Sequence, residues 1–398
     1  MIQYLHYNRS EGIFMELNNR SYRNIFKEIG KTDEEIEKKI KDAVQTFFYD
    51  ENEKIYSNAG DDMGYLTDTG NNDARTEGMS YGMMMCVQLD MKEEFDRIWK
   101  WAKTNMYMKD GDNEGYFAWS CALDGTHNFD GPAPDGEEFF AMSLFFASHR
   151  WGDGEGIFNY SEQAREILSA CLHKGENGRP GDPMWNKENA QILFVPGFPF
   201  TDPSYHLPHF YDLFALWANE EDREFWKKAA DASRKYLAKA CHKETGLSSE
   251  YANFDGTPLE EEMPWGGYFG NFYSDAYRTA ANIGLDAEWF GVDEGQISAP
   301  IKMMKFFGTD LEACRCEFMI DGTPLDRTLL HPLGLLATTA QGALSVPYSD
   351  DENSDFAIAR QWVEWFWNQP MRKGVRRYYD NCLYMFALLA LSGNYRMW

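Results

Sequence analysis

Apolar side chains recur along this chain at helical spacing. After an acidic first turn, Ile36, Ile40, Ala43 and Phe47 fall on one face of a predicted helix, and similar patterns follow along most of the sequence. Further helices are predicted to begin near residues 76, 92, 135, 161, 203, 221, 274, 296, 333, 352 and 379. Strand alternation is scarce, although a segment such as 191–195 could form a small hairpin within a loop. The pattern predicts an all-α protein of about twelve helices.

Short and long connections alternate between the predicted helices, which indicates that the helices pair. Helix pairs without coiled-coil heptads are typical of an α/α toroid with inner and outer rings, or of an open solenoid. We favour the closed ring because neither end of the pattern has a polar capping repeat. The pattern runs from about residue 33 to 391 without a linker. We therefore expect one domain over residues 1–398, with an irregular lead-in of about 30 residues.

Charge and composition narrow the classes of partner. The 398 residues carry a net charge of −26, which disfavours nucleic acid and membrane surfaces as partners. The sequence has neither a visible signal peptide nor an apolar run of about 18 residues, so we expect a cytoplasmic protein. We also expect a monomer or a weak homo-oligomer. Its seven cysteines are scattered without metal-ligand or disulfide spacing. No metal and no organic cofactor is expected.

Three carboxylates stand at predicted helix starts, each after a long loop: Glu77, Asp135 and Asp275. If the inner helices of a ring begin at one face, these side chains converge on one cleft. A helix N-terminus favours an ionised carboxylate by roughly 0.3–1 kcal/mol. A general acid at Glu77 therefore needs apolar burial, from the methionines that follow it and Tyr81, or a nearby charge such as Asp135. Ordinary helix capping is the alternative, and spacing alone leaves both interpretations open.

Three motifs carry a resemblance to a known family. Residues 76–82, Thr-Glu-Gly-Met-Ser-Tyr-Gly, resemble the Ser/Thr-Glu-Gly-Met-Ser/Ala-Tyr-Gly signature of glycoside hydrolase family 8. Residues 273–278, Tyr-Ser-Asp-Ala-Tyr-Arg, are similar to its Ser-Asp-Ala-x-Arg element, and 133–136, Ala-Pro-Asp-Gly, correspond in order to its central aspartate. The resemblance extends from about residue 50 to 379 and implies an (α/α)6 barrel.

The resemblance also implies roles for individual residues. Glu77 would be the general acid and Asp275 the general base. Asp135 would hold the sugar at subsite −1 and help to set the pKa of Glu77. Tyr205 would lie near the attacking water, and Arg278, three residues after Asp275, could keep that base ionised. Family members invert the anomeric centre, which implies an acid–base separation of roughly 6.5–9.5 Å.

A further motif narrows the implied substrate. Leu330, His331 and Pro332 resemble the Leu-His-Pro loop of the reducing-end xylose-releasing exo-oligoxylanases within this family. There the loop closes the cleft after subsite +1, and its histidine contacts the reducing-end xylose. The implied substrate is a short β-1,4-xylo-oligosaccharide. Asp135 lies in Pro-Asp-Gly-Glu-Glu rather than the Asp-Ala-Asp arrangement of family endoglucanases, which argues against cellulose.

Loop aromatics are candidates for stacking on sugar rings. We prefer Trp119 and also consider a set of rings in other loops: Tyr116, Trp185, Phe198, Trp265 and Tyr268. Arg75, beside the expected acid, could contact sugar hydroxyls or Asp135.

Three alternatives to an exo-oligoxylanase stay open from the sequence. The first is an endo-acting β-1,4-xylanase of the same family. The second is a non-catalytic oligosaccharide-binding toroid, although a binding module has no need of two opposed carboxylates. The third is a different toroidal enzyme such as a sugar epimerase, which would need a pair of catalytic histidines that the eight histidines here do not form.

Overall fold

The computed structural model describes residues 20–291, 294–308 and 316–398. In these ranges it contains the α-helices α1 (Ile25–Glu28), α2 (Asp33–Val44), α3 (Thr76–Leu89), α4 (Lys92–Asn105), α5 (Pro134–Trp151), α6 (Tyr160–His173), α7 (Pro208–Trp217), α8 (Arg223–Ala240), α9 (Arg278–Phe290), α10 (Glu294–Phe307), α11 (Pro332–Gln341), α12 (Asp355–Asn368) and α13 (Arg377–Leu391). The predicted helical periodicity is thus confirmed as the dominant structure.

Short strands are confined to the connections between helices. They are β1 (Tyr56–Ala59), β2 (Met63–Leu66), β3 (Asp73–Arg75), β4 (Ser120–Ala122), β5 (His127–Phe129), β6 (Trp185–Asn186), β7 (Gln191–Ile192), β8 (Cys316–Phe318) and β9 (Pro324–Thr328). They pair as three antiparallel two-stranded ribbons, β1–β2, β6–β7 and β8–β9, and one three-stranded sheet, β3–β4–β5. The hairpin expected near residue 191 is therefore present.

Six helices form a closed ring of contacts. Helices α3, α5, α7, α9, α11 and α13 each pack against the next, and α13 returns to α3. Helices α3, α5 and α13 bury nearly every side chain. A helix buried on all sides needs apolar residues around its whole circumference, and these three sequences have them. Helices α4, α6, α8, α10 and α12 each pack on the preceding inner helix, and α2 packs on α13.

Aromatic side chains fill the inside of the ring. Phe139 lies 4.7 Å from Tyr81 and 4.9 Å from Phe210, measured between ring centroids, and Phe386 lies 5.0 Å from Tyr81. These rings come from four different inner helices. Because the axis is a packed core rather than a channel, a binding site has to lie at an end of the ring.

Two glycines let the first turns of inner helices approach closely. A Cβ atom on Gly136 would lie 2.5 Å from the Cβ atom of Thr76, and one on Gly78 would collide with the ring of Tyr378. Such distances are too short for any side chain. Gly78 and Gly136 therefore allow the starts of α3, α5 and α13 to lie against one another.

Several predictions about helix boundaries and the lead-in differ from the structure. The helix expected from residue 203 to Trp217 is interrupted: Pro203–Tyr205 forms a 3-10 turn, and α7 begins only at Pro208, whose ring suits a first helical position. Ser274–Tyr277 is likewise a 3-10 turn that precedes α9. The lead-in contains the single-turn helix α1, and its residues 1–19 lie outside the described part.

Within the described ranges, no helix is both long and apolar enough to cross a membrane.

Candidate active site

Most of the predicted site residues lie in the first turns of the inner helices or in the segments just before them. Glu77 and Asp135 are the second residues of α3 and α5, and Arg278 is the first residue of α9. Asp275 lies in the 3-10 turn that leads into α9. Because these turns meet at one end of the ring, side chains about 200 positions apart in sequence come into contact.

Arg278 is the centre of this cluster. Its Nη1 lies 3.2 Å from Glu77 Oε2 and 3.0 Å from Asp135 Oδ2, and it donates a hydrogen bond of 2.9 Å to the Tyr81 hydroxyl. Its Nη2 lies 3.5 Å from Asp275 Oδ1. The guanidinium is almost fully buried. One cation therefore serves three carboxyl groups.

Arg278 also limits the distance between the expected acid and base. The two terminal nitrogens of a guanidinium lie about 2.3 Å apart when the C–N bonds are ~1.33 Å long. With the contacts above, Glu77 Oε2 and Asp275 Oδ1 are separated by at most about 9 Å. Inverting glycosidases place their carboxyl groups roughly 6.5–9.5 Å apart to admit a water. The upper limit for this pair falls within that range.

The surroundings of the Glu77 carboxyl group favour its protonated form. Tyr378 donates a hydrogen bond of 3.0 Å to Oε1, and Arg278 donates one of 3.2 Å to Oε2. Burial, together with the negative charges of Asp135 and Asp275, raises the pKa of Glu77 to about 8, although the charge of Arg278 acts in the opposite direction. Glu77 is therefore protonated at neutral pH and can donate a proton.

Asp135 and Asp275 differ in their exposure. Asp135 accepts the backbone N–H of Gly136 at 2.9 Å and is nearly buried. Burial raises the pKa of Asp135, and the positive charge of Arg278 counteracts part of this. About a third of the Asp275 side chain, 34%, is exposed. Of these two carboxyl groups, Asp275 is the one that water reaches more readily.

Tyr205 lies beside Arg278 on the 3-10 turn that precedes α7. The Arg278 guanidinium carbon is 5.5 Å from the centroid of the Tyr205 ring. The turn is capped by Asp202, whose Oδ1 accepts the backbone N–H of Ser204 at 2.7 Å. Burial raises the pKa of Asp202 well above its usual range, and its Oδ2 lies 3.8 Å from Arg278. Asp202 thus joins the cluster as a fourth acid.

The predicted loop at 330–332 lies at the start of α11. Leu330 and Pro332 are exposed, whereas His331 is mostly buried against the ring of Tyr379, with 4.9 Å between centroids. His331 Nδ1 lies 3.2 Å from Asp380 Oδ2.

Trp119 is half-buried next to Arg75. Its ring stacks on Phe129 at 5.2 Å and 17°, and the Arg75 guanidinium lies 5.2 Å from its centroid. Arg75 forms ion pairs with Asp73 at 3.1 Å and Asp68 at 3.2 Å. Its observed carboxylate partners are therefore these two residues rather than Asp135.

The other loop aromatics fall into two groups. Tyr116 and Trp185 are buried, so the interpretation of these two rings as sugar platforms is wrong: they lie in loops that fold back onto the core. Trp265 and Tyr268 are about half exposed. Phe198 packs on Trp265, with 5.6 Å between centroids.

Residues 53–312 match the glycosyl hydrolases family 8. The chain belongs to glycoside hydrolase family 8. The match covers more than half of the sequence and contains Glu77, Asp135, Asp202 and Asp275. Family membership therefore agrees with the carboxyl cluster at the end of the ring.

Relatives within family 8 are similar over nearly the whole chain. A reducing end xylose-releasing exo-oligoxylanase from Halalkalibacterium halodurans is 58% identical over 98% of this chain and 97% of its own length. One from Paenibacillus barcinonensis is 54% identical over 95% of this chain and 97% of its own length. A crystal structure of a reducing-end-xylose releasing exo-oligoxylanase complexed with xylose superposes with a TM-score of 0.90 at 57% identity, covering 96% of this chain and 99% of that one.

Several residues of this cluster and its surroundings are not apparent from the sequence. Asp202 looks like a helix cap because Pro203 follows it, and capping is indeed one of its contacts. Tyr378 and Asp380 open the apolar helix α13, and only the unusual polar start of that helix could have indicated them. Among the described residues, no group of three His, Cys, Asp or Glu side chains is arranged to hold a metal ion.

Proposed function

We propose that this protein is an inverting glycoside hydrolase that releases xylose from the reducing end of short β-1,4-xylo-oligosaccharides. One observation supports hydrolysis above all: Arg278 holds a protonated Glu77 and a partly exposed Asp275 in a single cluster. The substrate is inferred from relatives named for this activity that are 54–58% identical over nearly their whole length.

We further propose that the fold is an (α/α)6 barrel in one domain. The closed ring of α3, α5, α7, α9, α11 and α13, with an outer helix packed on each, supports this architecture. The cleft would lie at the end where the inner helices begin. A cytoplasmic location and a monomeric or weakly associated state remain predictions.

In the proposed reaction Glu77 and Asp275 act from opposite sides of the anomeric carbon. Glu77 gives its proton to the glycosidic oxygen as the bond from that oxygen to C1 breaks. A water held near Asp275 and Tyr205 forms the new bond to C1, and its proton passes to Asp275. Because the water attacks the face opposite the leaving sugar, the configuration at C1 inverts.

Asp135 and Arg278 support the two reacting carboxyl groups. Asp135 would bind hydroxyls of the sugar at subsite −1, and its negative charge helps to keep Glu77 protonated. Arg278, 3.5 Å from Asp275, stabilises the negative charge on that base. Trp119, Arg75 and the segment 330–332 would line the sugar subsites, with Leu330, His331 and Pro332 closing the cleft beyond subsite +1.

Products from xylo-oligosaccharides labelled at the reducing end test this function. We expect labelled xylose as the first labelled product from xylotriose, xylotetraose and xylohexaose, separated by chromatography. In the NMR spectrum, the shortened oligosaccharide is expected to appear first as the α-anomer, because C1 of the cleaved β-linkage has inverted. Labelled xylobiose and xylotriose appearing first from xylohexaose would instead identify an endo-xylanase. Absence of any cleavage would leave an oligosaccharide-binding protein.

A further inference from the structure

The first turn of α13 contacts three separate parts of the site through consecutive side chains. Tyr378 donates a hydrogen bond to Glu77 Oε1 at 3.0 Å. Tyr379 donates one of 3.3 Å to the carbonyl oxygen of Ser274, next to Asp275. Asp380 contacts His331. The contact between Asp380 and His331 fixes part of the segment 330–332, which is expected to close the cleft.

The carboxylate of Asp380 is completely buried, and both of its oxygens have polar partners. Its Oδ1 accepts the backbone N–H of Gly334 at 2.6 Å. Its Oδ2 lies 3.2 Å from His331 Nδ1 and accepts a hydrogen bond from Arg372 Nη1. Arg372 also donates to the carbonyl oxygen of Leu330. Asp380 and Arg372 together hold the main chain on both sides of His331.

These contacts determine which ring nitrogen of His331 carries the proton. An ionised carboxylate only accepts hydrogen bonds, so the nitrogen facing Asp380, Nδ1, must be the donor. In a neutral imidazole the other nitrogen, Nε2, is then an acceptor. No residue in the described ranges gives Nε2 a hydrogen-bond partner, and Nε2 is not enclosed in the core.

We propose that Asp380 is a positioning residue that holds His331 with its proton on Nδ1 and so presents Nε2 as an acceptor for the anomeric hydroxyl of the reducing-end sugar. A hydroxyl can donate to this nitrogen, whereas a glycosidic oxygen cannot. A chain that continues past this sugar would therefore lose the bond and leave a polar atom unpaired. The selection of the reducing end would thus depend on a residue of α13 that does not touch the substrate. This inference rests on the proposed function.

Asp380→Asn tests the inference because the amide can reverse the tautomer. The N–H of Gly334 is fixed in the helix backbone, so the amide oxygen of the variant is expected to stay on it. Arg372, which is partly exposed, can turn into solvent. The amide NH2 then faces Nδ1, which becomes an acceptor and moves the proton to Nε2.

The kinetic readout is the ratio of kcat/KM for xylotriose to that for methyl β-xylotrioside, whose anomeric hydroxyl is replaced by a methoxy group. We expect the unmodified protein to prefer the free sugar by about tenfold or more, and Asp380→Asn to reduce this ratio to near one. His331→Ala should abolish the preference as well. The double variant should have the same ratio as His331→Ala, because both changes act through one nitrogen.

A spectroscopic readout follows the tautomer without turnover. The protein is labelled with 15N-histidine, and the signal of His331 among the eight histidines is identified by its loss in His331→Ala. We expect a protonated Nδ1 in the unmodified protein and a protonated Nε2 in Asp380→Asn.

Two results would overturn the inference. One is an Nε2-protonated His331 in the unmodified protein. The other is an Asp380→Asn variant that loses the same factor on both substrates and keeps its tautomer, since Asp380 would then be purely structural. If the unmodified protein cleaves neither substrate, the proposed function fails, and the NMR spectra still decide whether Asp380 sets the tautomer.

Discussion

Glu77 illustrates how a residue at a helix start becomes a proton donor. The helix terminus favours its ionised form by roughly 0.3–1 kcal/mol, whereas each pKa unit corresponds to about 1.4 kcal/mol. A pKa moved from 4.5 to about 8 therefore reflects an opposing effect several times larger than that of the helix terminus. Burial is the largest cause, and the two neighbouring aspartates add to it. The environment, rather than the position in the helix, decides the protonation state.

The variant Glu77→Gln tests the acid role. The amide keeps the size and the neutral charge of the protonated side chain but cannot release a proton to the leaving sugar. We expect kcat for xylotriose to fall by at least about a hundredfold, measured by the release of xylose, with little change in KM. Retention of more than a tenth of the activity would mean that another group supplies the proton.

The same variant tests the raised pKa through stability. A group whose pKa is higher in the folded than in the unfolded protein stabilises the fold below the unfolded pKa, and this contribution is lost as pH rises through the folded pKa. For Glu77 that window extends from about 4.5 to about 8. We expect the Tm of Glu77→Gln minus that of the unmodified protein to increase from pH 5 to pH 9 by calorimetry. A constant difference would indicate an ordinary pKa.

At the scale of elements, the first turns of α3, α5 and α13 have to meet for the site to form. Gly78 is decisive because the ring and hydroxyl of Tyr378 occupy the space that a Cβ atom would need. This contact allows the Tyr378 hydroxyl to reach Glu77. A small residue in the helix thus determines a hydrogen bond of the expected acid.

Gly78→Ala is expected to disturb the acid as well as the packing. Alanine favours the helix by up to about 1 kcal/mol, but displacing Tyr378 costs roughly 1–3 kcal/mol. We expect a lower Tm and a shifted alkaline limb in the pH profile of kcat/KM. Gly82→Ala, one turn later, is the matched control: its Cβ would collide with Leu66 instead. The control should lower Tm without moving that limb; equal shifts in both variants would contradict the role of Tyr378.

At the scale of the whole molecule, the segment 395–398 packs against the end of the ring remote from the site. Tyr395 lies edge-on to Trp289, with 5.5 Å between centroids, and Met397 is buried. Gln88, near the end of α3, accepts hydrogen bonds from the Arg396 backbone and the Trp398 indole at 3.0 and 2.9 Å. The segment therefore connects the C-terminal ends of α3 and α9.

Removal of residues 395–398 should destabilise the ring. Losing two buried side chains exposes the core beneath them, so we expect the free energy of unfolding to fall by at least about 3 kcal/mol in urea titrations. Arg396→Ala, which removes only an exposed side chain, should cost less than about 1 kcal/mol. A truncated protein as stable as the intact one would show that the segment does not contribute to the ring.

Much of the fold follows from local pattern. The helical repeat of apolar residues predicted α4, α6 and α12 to within a few positions, because one-sided burial imposes a period of 3.6 residues on each helix. The motif around Glu77 could also be recognised in the sequence, since its glycines and its acid are neighbours along the chain. The breaks before Pro208 and Arg278 were missed because a 3-10 turn has nearly the same spacing as the first turn of a helix.

The sequence by itself determined the helices, the acids that open them and the family motifs, because these depend on residues a few positions apart. Only the tertiary structure decided that Arg278 serves Glu77, Asp135 and Asp275 together, that Asp202 joins them, and that Asp380 holds His331. It also decided that Tyr116 and Trp185 are core residues. These relations depend on closure of the ring. Closure brings helix starts that are distant in the sequence to one end, and it buries their side chains against one another.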